Sequence, residues 1–478
     1  MLSAPAQPAA ARPSPALPLL VGGMAAGLSL AVAVLLADWR IVALAFAALA
    51  LALAVLRFPF FGVVFYLLLA IVHPEELGLA PVVLRLQLVF ALICAAVYAL
   101  PGLFRGYWQK WRWLGTDKPL AALCIAACLS VPLSVSRPGS ATACYELGKL
   151  VFAYVIIRQA ATSFTRLRAA VWVVVIATAV LGTFAIGRVG KGEGGVMRAV
   201  GATATAGDAN TLANTMVSGL PLTVLLISAE SSPFAKMLLM GMAGLDLFIA
   251  FRTGSRTGIV SLAVVVMLLV AVSKRKVIAT LALAVALVVL WVGLPPDLKH
   301  RYETLRTYQQ EATYQTRRDW TKLAFRMMSD HPLTGVGLGQ FMVARAEQYD
   351  GIWMQPHNVY AEVASEMGFI GLAAYGLFVI SVFAACRSVR RLLPSAELSD
   401  RDRLWLDRVC LGIMIMFAAL LVQGLGGHNF FRWNYYLGAA VATSCLQFVG
   451  GAAHTRDGRS LKLGARESLH GTVLRDDA

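Results

Sequence analysis

Three short stretches of this chain gather side chains able to handle phosphate groups and protons. In the first, Arg198-Ala199-Val200-Gly201 is followed by Gly207-Asp208-Ala209-Asn210 where an apolar run opens. A guanidinium beside a helix N-terminus suits a phosphate, because its planar fork and the helix's exposed N–H groups both donate to anionic oxygens. The plainer alternative is a loop whose Asp208 or Asn210 only caps the helix. In the second stretch, Arg252-Thr253-Gly254-Ser255-Arg256 sets two arginines four residues apart in a glycine-containing turn between two apolar runs. They either bind an anion or snorkel to lipid headgroups. The third is Gln355-Pro356-His357-Asn358-Val359-Tyr360, with Glu362, Glu366 and Gly368 entering the next apolar run. An imidazole can take a proton near neutral pH, which makes His357 a candidate general base as well as a candidate surface histidine. A further segment, Gly427-His428-Asn429-Phe430-Phe431-Arg432-Trp433, reads as an interfacial aromatic belt.

The elements that must position these residues are membrane helices. Of 478 residues 58% are hydrophobic and 14% charged, whereas a soluble chain carries about a quarter charged residues. Apolar runs long enough to cross a bilayer recur throughout. Candidate spans lie at roughly 19–37, 41–56, 59–73, 84–100, 119–135, 145–158, 169–187, 211–229, 235–251, 258–273, 277–294, 364–386, 409–426 and 434–450. The expected fold is therefore all-α, a polytopic helical bundle of about 12–14 transmembrane helices with one long loop at 295–363. Residues 1–18 and 451–478 are expected to be cytoplasmic tails, the first disordered and the second basic, flanking a transmembrane domain at 19–450. The run Leu19–Ala37 is long for a signal peptide and no clear cleavage site follows it, so it reads as the first span.

The net charge of +16 does not point to nucleic acid, because the basic residues sit mostly in short connections between spans. They concentrate at 105–118, 158–168, 274–276, 387–408 and 456–475. Counting spans between them puts all these segments on one side. Positive loops stay inside, so both termini are expected in the cytoplasm. The opposite, periplasmic face then carries Arg188–Asn210, Arg252–Thr257, the long loop and Gly427–Trp433. Charges there run against the positive-inside pattern, which makes them candidates for function. Within the long loop, Trp320, Leu323, Ala324 and Met327 recur at helical spacing, with Arg317, Arg318, Lys322 and Arg326 between them. Such a helix either lies on the membrane surface or packs on the protein's own spans. Gly335-Val336-Gly337-Leu338-Gly339, which follows, reads as a flexible turn. The seven cysteines fall mostly in or beside apolar runs, with neither metal-ligand spacing nor a disulfide framework.

His357-Asn358-x-Tyr360 followed by Glu366-x-Gly368 and Gly371 resembles the hallmark of the O-antigen ligase and polymerase superfamily. Thr253-Gly254-Ser255-Arg256 at a span boundary is similar too, as are Pro332-Leu-Thr-Gly335-Val-Gly337-Leu-Gly339-Gln-Phe341 and Arg198 with Gly201 and Asn210. The resemblance covers a core at about 195–375. It implies transfer of a glycan from undecaprenyl pyrophosphate to an acceptor sugar hydroxyl at the periplasmic face of a bacterial inner membrane, the acceptor of the ligases being lipid A–core. It implies catalytic roles for His357, Arg256 and Arg198, with Arg252, Asn210, Asn358, Tyr360 and Glu366 around the substrate. Glu366 either orients a partner or caps a helix. The arginines would meet the developing pyrophosphate charge and His357 would take the acceptor proton. The donor bond is already activated, so no nucleotide or other cofactor is expected. The outer segments hold no acidic cluster, so no metal is expected either. The same motifs fit an O-antigen or exopolysaccharide polymerase. A protein O-oligosaccharyltransferase fits less well, since those relatives often carry an extra soluble domain after the last span. A polysaccharide transporter is the alternative of another class. It should show mid-membrane charges or internal repeats, and no clear repeat is found.

Overall fold

A computed structural model describes residues 58–74, 76–77, 86–99, 111–191, 196–203, 207–303 and 312–450, with a few positions between 46 and 55. Both expected tails, the expected span at 19–37 and most of that at 41–56 lie outside the described residues.

The other twelve expected spans are all helices. They are α1 (Pro59–Val72), α2 (Leu86–Ala99), α3 (Asp117–Ser130), α4 (Arg137–Ala160), α5 (Phe164–Ala185), α6 (Ala209–Ala229), α7 (Pro233–Arg252), α8 (Arg256–Val272) and α9 (Lys276–Val292). After the long connection come α13 (Val359–Leu392), α14 (Asp400–Gly424) and α15 (433–450). The connection itself holds α10 (Pro296–Glu303), α11 (Ala312–Asp330) and the single turn α12 (Phe341–Ala344). Among the described residues six helices are long and apolar enough to cross a membrane: α4, α5, α6, α7, α13 and α14. The 22 residues of α5 rise about 33 Å, which matches a hydrocarbon core of about 30 Å. Helices α1 and α8 and most of α2 are apolar but shorter. The bend of 119° between α9 and α10 turns the chain out of the bundle. The protein is thus an all-α, multi-pass helical membrane protein. Strand structure among the described residues is confined to one antiparallel hairpin, β1 (Val189–Lys191) with β2 (Met197–Ala199).

Helix starts follow the chemistry of caps. The side chains of Ser136, Ser163, Asp208, Ser232, Ser255, Asn358 and Ser399 each accept backbone N–H bonds from the first turn of the helix they open. At the centre lies α6, packed against α14, α7, α8 and α5. Apolar packing between helices gains little over lipid contact, so buried polar bonds help to set register. Gln423 of α14 does this. Its amide accepts from Ser218 of α6 at 3.1 Å and donates to the Asn214 carbonyl at 3.3 Å and to Ser261 of α8 at 3.4 Å.

The bundle has two chemically distinct ends. At one, the buried pair Arg158–Asp117 (3.0 Å) joins α4 to α3, and Arg158 also donates to the Arg112 carbonyl. Arg168 pairs with Glu230, and Arg401 donates to Ser231. The described parts of the basic segments thus meet at this end. The other end carries the β hairpin, the α7–α8 turn and the long connection.

Helix α13 is broken at Gly368, whose φ of 62° and ψ of −159° are open only to glycine. A break in a membrane helix frees backbone groups that lipid cannot satisfy. Segment 332–341 supplies the partners. Val336 and Gly337 N–H donate to the Ser365 and Glu366 carbonyls at 2.9 Å, while Phe369 N–H donates to the Pro332 carbonyl at 2.8 Å. The Glu366 carboxylate accepts from Gly339 N–H (2.7 Å) and Phe341 N–H (3.1 Å). The glycine run read from sequence as a flexible turn is instead a bonded wedge in the kink. Flexibility was inferred from composition, whereas bonding at both edges immobilises the run. At Gly335 (φ 65°) an added methyl would collide with the backbone at Ser365–Met367. Gly335→Ala should therefore cost about 1–3 kcal/mol or more and lower the unfolding temperature in detergent. Gly376→Ala, where the methyl meets open space, should leave that temperature unchanged or slightly higher. Equal melting of both variants would contradict the wedge.

Candidate active site

The hairpin end of the bundle holds a cavity of about 830 Å³. Arg198 reaches it from β2. Its Nε donates to the Thr253 carbonyl at 2.6 Å and an Nη to Asn210 Oδ1 at 3.1 Å. Arg301, from α10, donates through Nε to the Gly254 carbonyl at 2.9 Å. Both arginines are therefore fastened to the carbonyl end of α7, the negative pole of that helix, where cations are favoured. Arg256 opens α8, and its Nε lies 3.4 Å from the Arg301 carbonyl. The wall opposite comes from α11, which lines the cavity with Arg317, Arg318, Thr321 and Lys322. Val260, Val422, Leu425 and Phe325 add apolar surface.

Helix α11 is amphipathic, as its periodicity predicts, and tertiary packing decides between its two readings. Ala324 and Met327 are fully buried in a small core with Val336, Phe341, Ala344 and Ala361. That face rests on the protein's own helices, leaving the basic face to the cavity.

His357 lines the same cavity and sits in left-handed backbone (φ 50°) just before the Asn358 cap of α13. Trp320 of α11 stacks on its ring at 5.8 Å between centroids, and His428 approaches at 5.4 Å. Behind Trp320, the Arg345 guanidinium lies 4.8 Å over the indole and is held by both carboxylate oxygens of Asp350. Burial holds the His357 pKa down to about 4, helped by the positive field of Arg317 and by His428, while Asp208 opposes the shift. The imidazole is therefore neutral at pH 7 and able to accept a proton. At Asp208 partial desolvation pulls the carboxyl upward. Hydrogen bonds from Thr211 and the Asn210 backbone, with the charge of Arg432, outweigh it and hold the group ionised.

The cavity brings together Arg198, Arg256, Asn210 and His357 of the residues expected from sequence. The other four are placed elsewhere. Arg252 ends α7 and does not line the cavity. Asn358 caps α13 through bonds from the Tyr360 and Ala361 N–H groups. The Tyr360 hydroxyl donates to the Leu421 carbonyl, and Glu366 is spent on the glycine wedge. Absent from the sequence-based set are Lys191, Arg301, Arg317, Arg318, Lys322 and Asp208, all of which line the cavity. His428, read from sequence as part of a belt, stands beside His357. For the lysines and arginines the signal available was their positive charge in segments that the positive-inside pattern assigns to the outer face; Asp208 and His428 carried no such signal.

Fold and site together define a multi-pass helical membrane protein with a cationic, partly apolar cavity at one end of its bundle. Residues 241–376 match the family model described as O-antigen ligase, so this segment is similar to that family. The matched segment includes Arg256, Arg301 and His357, while Arg198 and Asn210 join the site from outside it. No curated protein matches the chain.

Proposed function

We propose that the cavity binds the pyrophosphate of a lipid-linked glycan, undecaprenyl pyrophosphate–glycan, and that the protein transfers this glycan to an acceptor sugar hydroxyl at the periplasmic face of the inner membrane. The observation that carries this reading is the convergence of Arg198, Arg256, Arg301, Arg317 and Arg318 on one cavity that also holds neutral His357 and an apolar wall. Several fixed cations suit a pyrophosphate, and apolar surface beside them suits the prenyl chain. In the step proposed, the acceptor oxygen attacks the anomeric carbon as the bond from that carbon to the pyrophosphate oxygen breaks. The acceptor proton passes to His357, the electron pair leaves with undecaprenyl pyrophosphate, and the arginines stabilise the charge that develops. No cofactor takes part in this step. A bound pyrophosphate raises the His357 pKa from its low resting value, which makes the imidazole a better base once donor is in place. The basic segments gathered at the opposite end support cytoplasmic termini and a periplasmic site.

The test supplies purified protein with a lipid-linked glycan and either lipid A–core or a second lipid-linked glycan. A covalent product with lipid A–core identifies a ligase, and elongation of the lipid-linked glycan identifies a polymerase. Glycan moved across a vesicle bilayer with no new covalent product would identify a transporter and sink the proposal.

A further inference from the structure

A second cavity, about 560 Å³, opens at the basic end of the bundle, away from the site above. Leu220, Val224 and Leu225 of α6, Leu247 of α7, Val266 and Leu269 of α8, and Leu283 of α9 give it apolar walls. Along α6 it runs from Leu220 to Ser228, a depth of about 12 Å. Its mouth carries Lys274, Arg275 and Arg408, and among the described residues no acidic one lines it. Arg408 extends from α14, and its Nε is buried without a hydrogen-bond partner among the described residues. Three other arginines of this end are paired with carboxylates, Arg158 with Asp117, Arg168 with Glu230 and Arg390 with Asp407. On the floor of the cavity, α7 has glycine at 244, where an added Cβ would meet nothing within 4 Å. A side chain here would enter open space, so a close helix contact does not account for the glycine.

We infer that this cavity is a binding site for one anionic phospholipid, with its phosphate on Arg408, Lys274 and Arg275 and one acyl chain in the cleft. Cleft depth, apolar walls and an unshared cationic mouth fit the two halves of such a lipid. Moving an acyl chain from bilayer into the cleft gains little hydrophobic free energy, because lipid is as apolar as the walls. Selectivity must then come from the headgroup, and clustered Lys and Arg near a membrane surface favour anionic over zwitterionic lipids.

The test is native mass spectrometry of the full-length protein equilibrated with equal amounts of phosphatidylglycerol and phosphatidylcholine. The intact protein should retain one phospholipid, with phosphatidylglycerol favoured roughly tenfold or more given three cations. Combined Arg408→Gln, Lys274→Gln and Arg275→Gln should bring the two lipids close to parity. Gly244→Leu adds bulk to the cavity at a position where the new Cβ meets nothing within 4 Å and improves helix propensity, so it should fold while losing the retained lipid although the cations remain. Equal retention of both lipids by the intact protein would overturn the site. So would undiminished selectivity in the triple variant. Unchanged retention in Gly244→Leu would also overturn it, since the cations would then be holding lipid at the surface without the cleft.

Discussion

His357→Ala is expected to lower turnover by about 10²- to 10⁴-fold, the usual contribution of a positioned general base, while donor binding persists. The pH profile should separate this role from phosphate binding. The resting pKa of His357 is held to about 4 by burial, Arg317 and His428. A depressed histidine pKa keeps the ring neutral at any higher pH, so kcat/KM should stay flat through pH 6 and fall only as pH approaches about 4. An unperturbed histidine would give a fall near about 6.5. The structure moves it down because the ring is enclosed and faces cations. The limb in kcat should lie above that in kcat/KM, since bound pyrophosphate raises the pKa in the complex. If His357 instead bound phosphate as a cation, activity would rise on acidification and His357→Ala would weaken donor affinity while turnover at saturating donor survived. Turnover and donor affinity measured separately across pH decide the matter.

The arginines should part company in a way their contacts dictate. Arg256→Ala is expected to cut turnover by about 10²- to 10³-fold, the scale seen when one preorganised donor to a developing anion is removed. Its bond to the Arg301 carbonyl is long, at 3.4 Å, so loss of that bond contributes little to any change in stability. Arg198→Ala should lose a comparable factor and also destabilise the protein by about 1–3 kcal/mol. It strips the Thr253 carbonyl of a 2.6 Å bond inside the bundle and removes the partner of Asn210. Lysine should rescue either position only in part, since it lacks the planar fork. Activity equal to wild type in Arg256→Ala would reduce that residue to a membrane anchor. Full stability in Arg198→Ala would mean that its contact with the α7 end is not what holds the turn.

The sequence by itself determined the layers of this protein and the neighbourhood of its chemistry. Whether twenty residues cross a bilayer depends on their own transfer free energies, so the span pattern from α1 to α15 was legible without any knowledge of neighbours. The cap at Asp208 was legible for the same reason, because it acts within its own first turn. The amphipathic period of α11 could be read, but its partner could not. A helix face states that it must be covered, and only the fold shows that Val336, Phe341 and Ala361 cover Met327. That one choice turns Arg317, Arg318 and Lys322 from headgroup contacts into a cavity wall. Tertiary structure also decided the work of Glu366, whose carboxylate bonds Gly339 and Phe341 in a break of α13 that no local pattern announces. The pairing of His357 with His428 depends on the ends of α13 and α15 meeting across about seventy residues of chain. Arg198 and Arg301 likewise converge on the carbonyls of Thr253 and Gly254 from opposite sides in sequence. Local propensity places each group at a helix end. Which helix ends share one mouth is a property of packing, because it depends on surfaces far apart in the chain.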